Sequence, residues 1–116
     1  MSTNTSMKTI ILAAALTVLC VSCGSQGKGG GDSAKASEGK SLFAKAGCQG
    51  CHKVDGVGGN AGPDLSHVGS RLPDTEWHVR HMQDPGKVRP GSAMPAFGSL
   101  PQSELDALAA YLVTLK

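Results

Sequence analysis

The 116-residue sequence is poor in aromatic side chains. It contains two Phe, one Trp and one Tyr, which together make up 3% of the chain. Aromatic side chains supply much of the apolar area that a small core can bury, and small domains often need a bound group or a cross-link to complete their cores. The composition therefore argues against an ordinary globular enzyme, and it indicates that a bound group fills part of the interior.

The sequence also lacks a large charge of either sign. Its formal net charge is +2, and the basic residues are scattered along the chain. Binding to nucleic acid depends on concentrated positive charge, so we expect no nucleic-acid partner. Any electrostatic attraction toward a partner protein has to come from local patches of charge.

No hydrophobic run in the sequence is long enough to cross a membrane comfortably. The longest, residues 10–21, has about twelve apolar residues, whereas a membrane-spanning helix needs about 20. Because Lys8 precedes this run, the segment is typical of a secretory signal peptide. We therefore predict a signal peptide over residues 1–22.

The end of the apolar run resembles a bacterial lipobox, in which a Cys after a small residue is lipidated. Residues 21–24 read Val-Ser-Cys-Gly, although Cys20 stands where the lipobox usually has Leu. Simple secretion and an uncleaved anchor remain alternatives. We predict that Cys23 is lipidated, that residues 23–37 form a flexible tether rich in Gly and Ser, and that residues 38–116 form the folded domain.

Residues 48–52 read Cys-Gln-Gly-Cys-His, the pattern of c-type haem attachment. Two thiols separated by two residues can add to the two vinyl groups at one edge of a porphyrin, and the His that follows can ligate the iron. A buried porphyrin would also complete the core of an aromatic-poor domain. We predict one covalent haem c, attached through Cys48 and Cys51, with His52 as an iron ligand.

Two other kinds of site use a Cys-X-X-Cys pair. A zinc site usually needs four ligands, and this sequence has no second Cys pair at a suitable spacing. A thioredoxin-like redox pair needs a βαβ context, whereas the region around this motif is rich in Gly and poor in strand-forming residues. Both alternatives are weaker than haem attachment, and a zinc module would also be colourless.

Met94 is the candidate for the second axial position. It lies in residues 88–97, a segment punctuated by Pro and Gly in which an apolar thioether has no helix face to join. A soft thioether favours ferrous iron, so Met/His ligation raises the reduction potential and fills both axial positions. Other possible ligands are His67, His78 and His81.

Sequence periodicity predicts three main helices. The first covers residues 37–48 with Ser37 as its N-cap, a short one covers residues 75–83, and the last covers residues 101–115 with a core-facing stripe of Leu. Residues 54–62 contain four Gly and should form a loop without regular structure.

Gly39 lies within the predicted first helix, four residues before Phe43. Its only effect could be to weaken the helix by about 1 kcal/mol relative to Ala. Alternatively, it marks a point of close helix approach, for which the last helix is the natural partner.

Taken together, these segments resemble a class I cytochrome c. The resemblance rests on residues 39–43, 48–52, 62–65, Arg71, residues 94–95 and the final helix. It implies the all-α cytochrome c fold, with three to five helices around one covalently bound haem and with the first and last helices crossing. It also implies that Tyr111 and Leu112 pack near Gly39 and Phe43.

The resemblance assigns roles to further residues. In the family, the carbonyl group at the position of Pro63 accepts a hydrogen bond from the ring of the His52 equivalent, and Leu65 packs on the haem. Arg71 has the spacing of an Arg that binds a haem propionate. Trp77 is a second candidate for a propionate contact through its indole N–H, with ordinary core packing as the alternative.

These observations predict a membrane-tethered, monohaem cytochrome c that transfers single electrons in an extracytoplasmic respiratory chain. We expect a periplasmic lipoprotein whose partners are redox proteins and the membrane, with no small-molecule substrate and no enzymatic activity. The alternative is an open-site haem protein, either a gas sensor or a peroxidase-like enzyme, which would require that Met94 does not ligate the iron.

Overall fold

The computed structural model describes residues 28–116, with side chains from Asp32 onward, so the predicted signal peptide and Cys23 lie outside the described residues. Within this range no helix is both long and apolar enough to cross a membrane. The helices are α1 (Lys28–Lys45), α2 (Val68–Arg71), α3 (Thr75–Gln83), α4 (Pro85–Val88) and α5 (Gln102–Leu112), with a single 3₁₀ turn at Cys48–Gly50.

The first helix begins earlier than predicted. Helix α1 starts at Lys28, so the coil predicted for the tether is wrong over residues 28–37, and Ser37 is not an N-cap. Ala34, Lys35 and Ala36 are strong helix formers and no Pro separates them from the predicted start, so the helix extends back beyond Ser37; the three Gly residues of its first turn are weak helix formers. The helix ends at Lys45 because Gly47 adopts a left-handed conformation with φ of 80°.

The Gly-rich segment contains a small hairpin that was not predicted. Strands β1 (Lys53–Val54) and β2 (Val57–Gly58) pair in antiparallel fashion. Asp55 and Gly56 form the turn between them, with φ angles of 50° and 81°, which suits a tight two-residue hairpin. The prediction of no regular structure over residues 54–62 is therefore wrong at its N-terminal end.

Helix α3 has the predicted bounds, Thr75–Gln83. The Asp74 carboxylate caps it by accepting a hydrogen bond from the Glu76 N–H at 3.0 Å. A further short helix, α4, follows α3 directly. The Asp84 carboxylate caps it by accepting a hydrogen bond from the Lys87 N–H at 3.0 Å. Helix α5 ends at Leu112, three residues before its predicted end, and the one-turn helix α2 was not predicted.

Helices α1 and α5 cross at Gly39, as the family resemblance implied, so the second of the two interpretations of Gly39 is confirmed. A Cβ atom at Gly39 would collide with the backbone carbonyl of Ala107 and lie 2.8 Å from the Tyr111 Cβ. One turn further along, the rings of Phe43 and Tyr111 meet edge to face, with centroids 5.6 Å apart and planes at 64°. The missing side chain at Gly39 thus lets the two helix backbones approach closely.

The core forms around α5, which packs against both α1 and α3. Its buried apolar residues are Phe43, Val54, Val68, Met82, Leu105, Leu108, Ala109, Tyr111 and Leu112. Helix α5 supplies most of them, in agreement with the Leu stripe seen in the sequence. One side of this core faces a cleft rather than another helix.

Candidate haem site

A cleft of about 490 Å³ with mostly apolar walls opens beside the core. It lies between the Cys-X-X-Cys-His segment, α3, the loop after α4 and one face of α5. The structure brings seven predicted site residues to its walls: Cys48, Cys51, His52, Pro63, Arg71, Trp77 and Met94. Leu65, which the resemblance also placed at the site, lines the cleft as well.

The attachment segment is shaped by the 3₁₀ turn. The carbonyl oxygen of Cys48 accepts hydrogen bonds from the N–H groups of Cys51 at 3.2 Å and His52 at 2.9 Å. These bonds place two free thiols and an imidazole on one short piece of backbone at the cleft. Burial raises the pKa of the Cys48 thiol above its ordinary value.

The ring of His52 is oriented by a backbone carbonyl group. Its Nδ1 lies 2.8 Å from the Pro63 carbonyl oxygen, so Nδ1–H donates there and Nε2 carries the lone pair that a metal needs. Gly62 lies against the ring, because a Cβ at that position would come within 2.6 Å of the His52 Cε1. His52 and Pro63, which the family resemblance paired through this hydrogen bond, are therefore placed as expected.

Backbone hydrogen bonds hold the Gly-rich loop on the attachment segment. The Gly59 N–H donates to the Gln49 carbonyl at 2.9 Å, and the Gly62 N–H donates to the Cys51 carbonyl at 2.8 Å. Further along, the Asp64 carboxylate accepts hydrogen bonds from the Ser66 hydroxyl and backbone N–H, which lower its pKa. The loop that carries Pro63 is thus fixed on both sides.

Arg71 is the last residue of α2, and its side chain lines the cleft. Its Nη2 donates a hydrogen bond to the Asp64 carbonyl oxygen at 3.1 Å. This bond occupies one of the five N–H donors of the guanidinium group, which leaves others for a propionate. Its placement is compatible with the role implied by the family resemblance, and that role remains a prediction.

Met94 is half-buried against the core and lines the cleft. Its loop is anchored to the end of α3, because the Phe97 N–H donates to the Met82 carbonyl at 2.7 Å. Near the start of the loop, Gly91 adopts a φ of 85°, which side chains disfavour. Met82 is buried in the core itself, so its position agrees with a packing role.

Trp77 is part of an aromatic layer on the cleft side of α3. Its indole ring stacks on His81, with centroids 4.9 Å apart and planes at 11°. The guanidinium carbon of Arg89 lies 5.8 Å from the Trp77 ring centroid, within range of a cation–π interaction. Both His81 and Arg89 line the cleft. From the sequence, His81 was considered only as a possible iron ligand, and Arg89 was given no role.

The three His residues considered as alternative ligands have different surroundings. His67 is exposed, and its Nδ1 contacts the Lys116 carbonyl oxygen at 2.7 Å. His78 is buried, and its Nε2–H donates to the Leu72 carbonyl at 2.8 Å. Burial lowers the pKa of both His78 and His81. The four-residue spacing of Trp77 and His81 is the sequence signal that could have predicted the stacking of their rings.

The cleft residues fit a covalently bound haem. Two thiols can attach the vinyl groups, an imidazole with a free Nε2 and a thioether can serve as axial ligands, and the remaining wall is mostly apolar.

Comparison with known proteins agrees with this site. The cytochrome c family model matches residues 36–116. The chain is 33% identical over 88 residues to cytochrome c oxidase subunit 2 of Alkalihalophilus pseudofirmus, and 33% identical over 94 residues to that of Bacillus sp. strain PS3. Each match covers 70% of this chain and 26% of the relative, so the chain spans about a quarter of the length of these relatives.

The matched residues include every described element from the middle of α1 to the end of α5, together with both Cys residues of the attachment motif. The predicted all-α cytochrome c fold and the predicted covalent haem c are thus confirmed. The chain belongs to the cytochrome c family, whose members carry haem c and transfer electrons.

Proposed function

We propose that this chain is a membrane-tethered monohaem cytochrome c that relays single electrons between redox proteins outside the cytoplasm, and that it is not an enzyme. The observation that carries the proposal is that His52 and Met94 line one cleft. With both as axial ligands, the iron has no open position for a substrate. Electron transfer at the haem edge is then the remaining chemistry.

Each residue of the site has a defined task under this proposal. The haem supplies a one-electron ferric/ferrous couple. Cys48 and Cys51 hold it covalently, while the Pro63 carbonyl keeps the His52 ring in one tautomer and orientation. Met94 is held by a loop that is anchored to α3. The mostly apolar cleft would exclude water from the haem, and His52 and Met94 would remain its ligands in both oxidation states.

The proposed partners follow from the comparisons and from the N-terminal sequence. The relatives are named as subunits of cytochrome c oxidase, which favours a respiratory chain as the source and destination of electrons. Lipidation at Cys23 would hold the protein on the periplasmic side of a membrane, because two or more acyl chains give stable attachment.

Carbon monoxide binding to the reduced holoprotein tests the closed iron site. We expect the native protein to bind carbon monoxide poorly at neutral pH, and Met94→Ala to bind it rapidly and to lose the sulfur-to-iron charge-transfer band of the oxidised form. Met82→Leu is the matched control, because this thioether is buried in the core and the change nearly conserves volume.

Rapid binding by the native protein would contradict the relay and would support the alternative, a gas sensor or peroxidase-like enzyme. Loss of the charge-transfer band in Met82→Leu, with the band intact in Met94→Ala, would instead move the axial role to Met82.

Membrane attachment is tested separately by labelling with a radioactive fatty acid in a bacterial host. Cys23→Ala should abolish the label and release the cytochrome from the membrane fraction. Cys20→Ala is the control and should keep the label, since this residue lies in the predicted signal peptide. Equal labelling of both variants would contradict lipidation at Cys23.

A further inference from the structure

One wall of the cleft is formed by α2 and by the residue that follows it. Val68, Arg71 and Leu72 line the cleft, and α2 is a single helical turn, Val68–Arg71. An isolated helical turn is unfavourable, because several backbone angles are fixed in return for one hydrogen bond. Contacts from other parts of the chain therefore have to hold this wall in place.

Residues 115 and 116 supply such contacts at the start of α2. The Gly69 N–H donates a hydrogen bond to the Leu115 carbonyl oxygen at 2.7 Å, and the Lys116 Nζ donates to the Gly69 carbonyl oxygen at 2.9 Å. The Nδ1 of His67 lies 2.7 Å from the Lys116 carbonyl oxygen. Because a carbonyl oxygen can only accept, Nδ1–H is the donor. We call this pairing of residues 67–69 with residues 115–116 the clasp.

Gly69 allows the two segments of the clasp to approach each other closely. A Cβ atom at this position would collide with the Val113 carbonyl group and would lie 2.8 Å from the Val113 Cα. These are backbone atoms, so no change of a side-chain rotamer could relieve the collision. The fit of the clasp thus depends on a residue without a side chain.

The clasp fastens the cleft wall to the end of α5. Residues 113–116 follow α5 directly, and Leu115 packs against the core to which Val68 also belongs. At the other end of the wall, the Leu72 carbonyl accepts a hydrogen bond from the His78 Nε2–H at 2.8 Å. The wall is therefore held by the clasp at its start and by α3 at its end, and opening the clasp would free one of these two ends.

We propose that the clasp positions the α2 wall of the cleft and thereby raises the reduction potential of the haem. His67, Gly69 and Lys116 do not line the cleft, so they act through the wall residues Val68 and Leu72 as positioning residues. The inference rests on the proposed relay function, since a reduction potential is what the wall adjusts.

The direction of the effect follows from electrostatics. A wall that stays closed keeps water away from the haem, and burial is one of the levers that set the potential of a haem. Water stabilises ferric iron more than ferrous iron, because the ferric centre carries one more positive charge. Loosening the wall should therefore favour the ferric state and lower the potential.

Gly69→Ala tests the close approach within the clasp. We expect the ferrous/ferric equilibrium of the holoprotein to shift about threefold toward ferric, which is about 30 mV at about 59 mV per decade for one electron. Leu105→Ala is the matched control, because Leu105 is buried in the core and does not line the cleft. It should lower stability and leave the potential unchanged. An unchanged potential in Gly69→Ala would overturn the proposal, and so would an equal shift in Leu105→Ala.

Substitutions of His67 test the clasp without altering a buried residue, because His67 is exposed. His67→Ala removes the donor to Lys116 and should lower the potential, whereas the Asn amide of His67→Asn can place an N–H close to the position of Nδ1 and should restore at least half of the shift. Potentials are measured at about pH 8, where an ordinary His is neutral, so that no charge is removed. Equal potentials in His67→Ala and His67→Asn would overturn the proposal.

Amide hydrogen exchange reports on the wall itself. In the holoprotein, the Leu72 N–H donates to the Val68 carbonyl at 2.8 Å, and the Asp84 N–H at the end of α3 donates to the Arg80 carbonyl at 3.1 Å. His67→Ala should speed exchange at Leu72 and leave exchange at Asp84 unchanged, as a local opening would. Equal acceleration at both sites, or none at Leu72, would overturn the proposal. If the carbon monoxide test removes the relay function, this exchange still decides whether the clasp holds the wall, so the two failures are distinguishable.

Discussion

The Nδ1 of His52 lies 2.8 Å from the carbonyl oxygen of Pro63, and Gly62 lies against the same ring. The imidazole is thus oriented by the backbone of one short loop instead of by another side chain. That loop is in turn held on the attachment segment by the hydrogen bond from the Gly62 N–H to the Cys51 carbonyl. Haem attachment and ligand orientation are therefore parts of one rigid unit.

Gly62→Ala should disturb this unit. The added Cβ would come within 2.6–3.1 Å of three ring atoms of His52, so the imidazole must move away from its bond to Pro63. We expect a loss of about 1–3 kcal/mol in the free energy of unfolding of the holoprotein, together with a high-spin fraction in its absorption spectrum. Gly50→Ala is the control, since no atom lies within 4 Å of its Cβ. A fully native spectrum and stability in Gly62→Ala would contradict this account.

Gly39→Ala should destabilise the crossing of α1 and α5. Helix propensity alone would favour Ala by about 1 kcal/mol, but the new methyl group would collide with the backbone of Ala107, which cannot rotate away. We expect a net loss of about 1–3 kcal/mol in urea unfolding. Gly86→Ala should change stability little, because its nearest neighbour is Asp84 Oδ1 at 3.8 Å. A gain in stability in Gly39→Ala would show that the helices can separate at low cost.

The holoprotein should lose stability as the pH falls below about 6.5 because of His78. This side chain is 3% exposed, and burial lowers its pKa below the ordinary value for His. The unfolded chain then binds a proton that the native protein resists, so the free energy of unfolding falls as the pH drops, by at most about 1.4 kcal/mol per pH unit for one group.

Urea midpoints measured between pH 7.5 and 5, values chosen to bracket the ordinary His range of about 6.5, would check this prediction. His78→Gln should have a flatter pH dependence, because Gln keeps a donor toward Leu72 and does not titrate. An equal slope in native protein and variant would assign the pH dependence to another group.

Removing both thioether links should unfold most of the domain. Core side chains such as Phe43, Met82 and Leu108 line the cleft, so without haem they would face water. We expect Cys48→Ala/Cys51→Ala to lose most of its helical signal in far-UV circular dichroism. Cys51→Ala alone, which keeps one link, should retain haem and most of its helicity. Full helicity in the haem-free double variant would contradict a core that depends on haem.

The elements with strong local signals could be predicted from the sequence. The sequence indicates both ends of helix α3, because Asp74 can cap its N-terminus and Pro85 follows its last residues. Its bounds were predicted correctly. The close approach at Gly39 was one of two interpretations that the residues left open, and the family resemblance favoured it by implying that the first and last helices cross. The attachment motif identified the cofactor, since covalent haem attachment requires two Cys residues at this spacing followed by His.

Other features depend on contacts that a linear reading does not contain. The hairpin at Asp55–Gly56 was missed because Gly-rich composition predicts coil regardless of pairing. The surroundings of His81, whose ring stacks on Trp77, depend on how α3 packs against the rest of the chain, and the sequence does not show that packing. The early start of α1 was missed because its first turn contains three Gly residues, and a Gly-rich composition predicts coil.

That early start affects how far the haem domain would stand from a membrane. A helix rises 1.5 Å per residue, so the extension from Lys28 to Ala36 is a rod about 14 Å long. If Cys23 carries the lipid, this rod is fixed to the domain through α1 and acts as a spacer, whereas a coil would let the domain approach the bilayer at any distance. The rod would then set most of the distance that the domain can reach from the lipid headgroups, and lengthening it by whole helical turns would extend that reach in steps of about 5.4 Å.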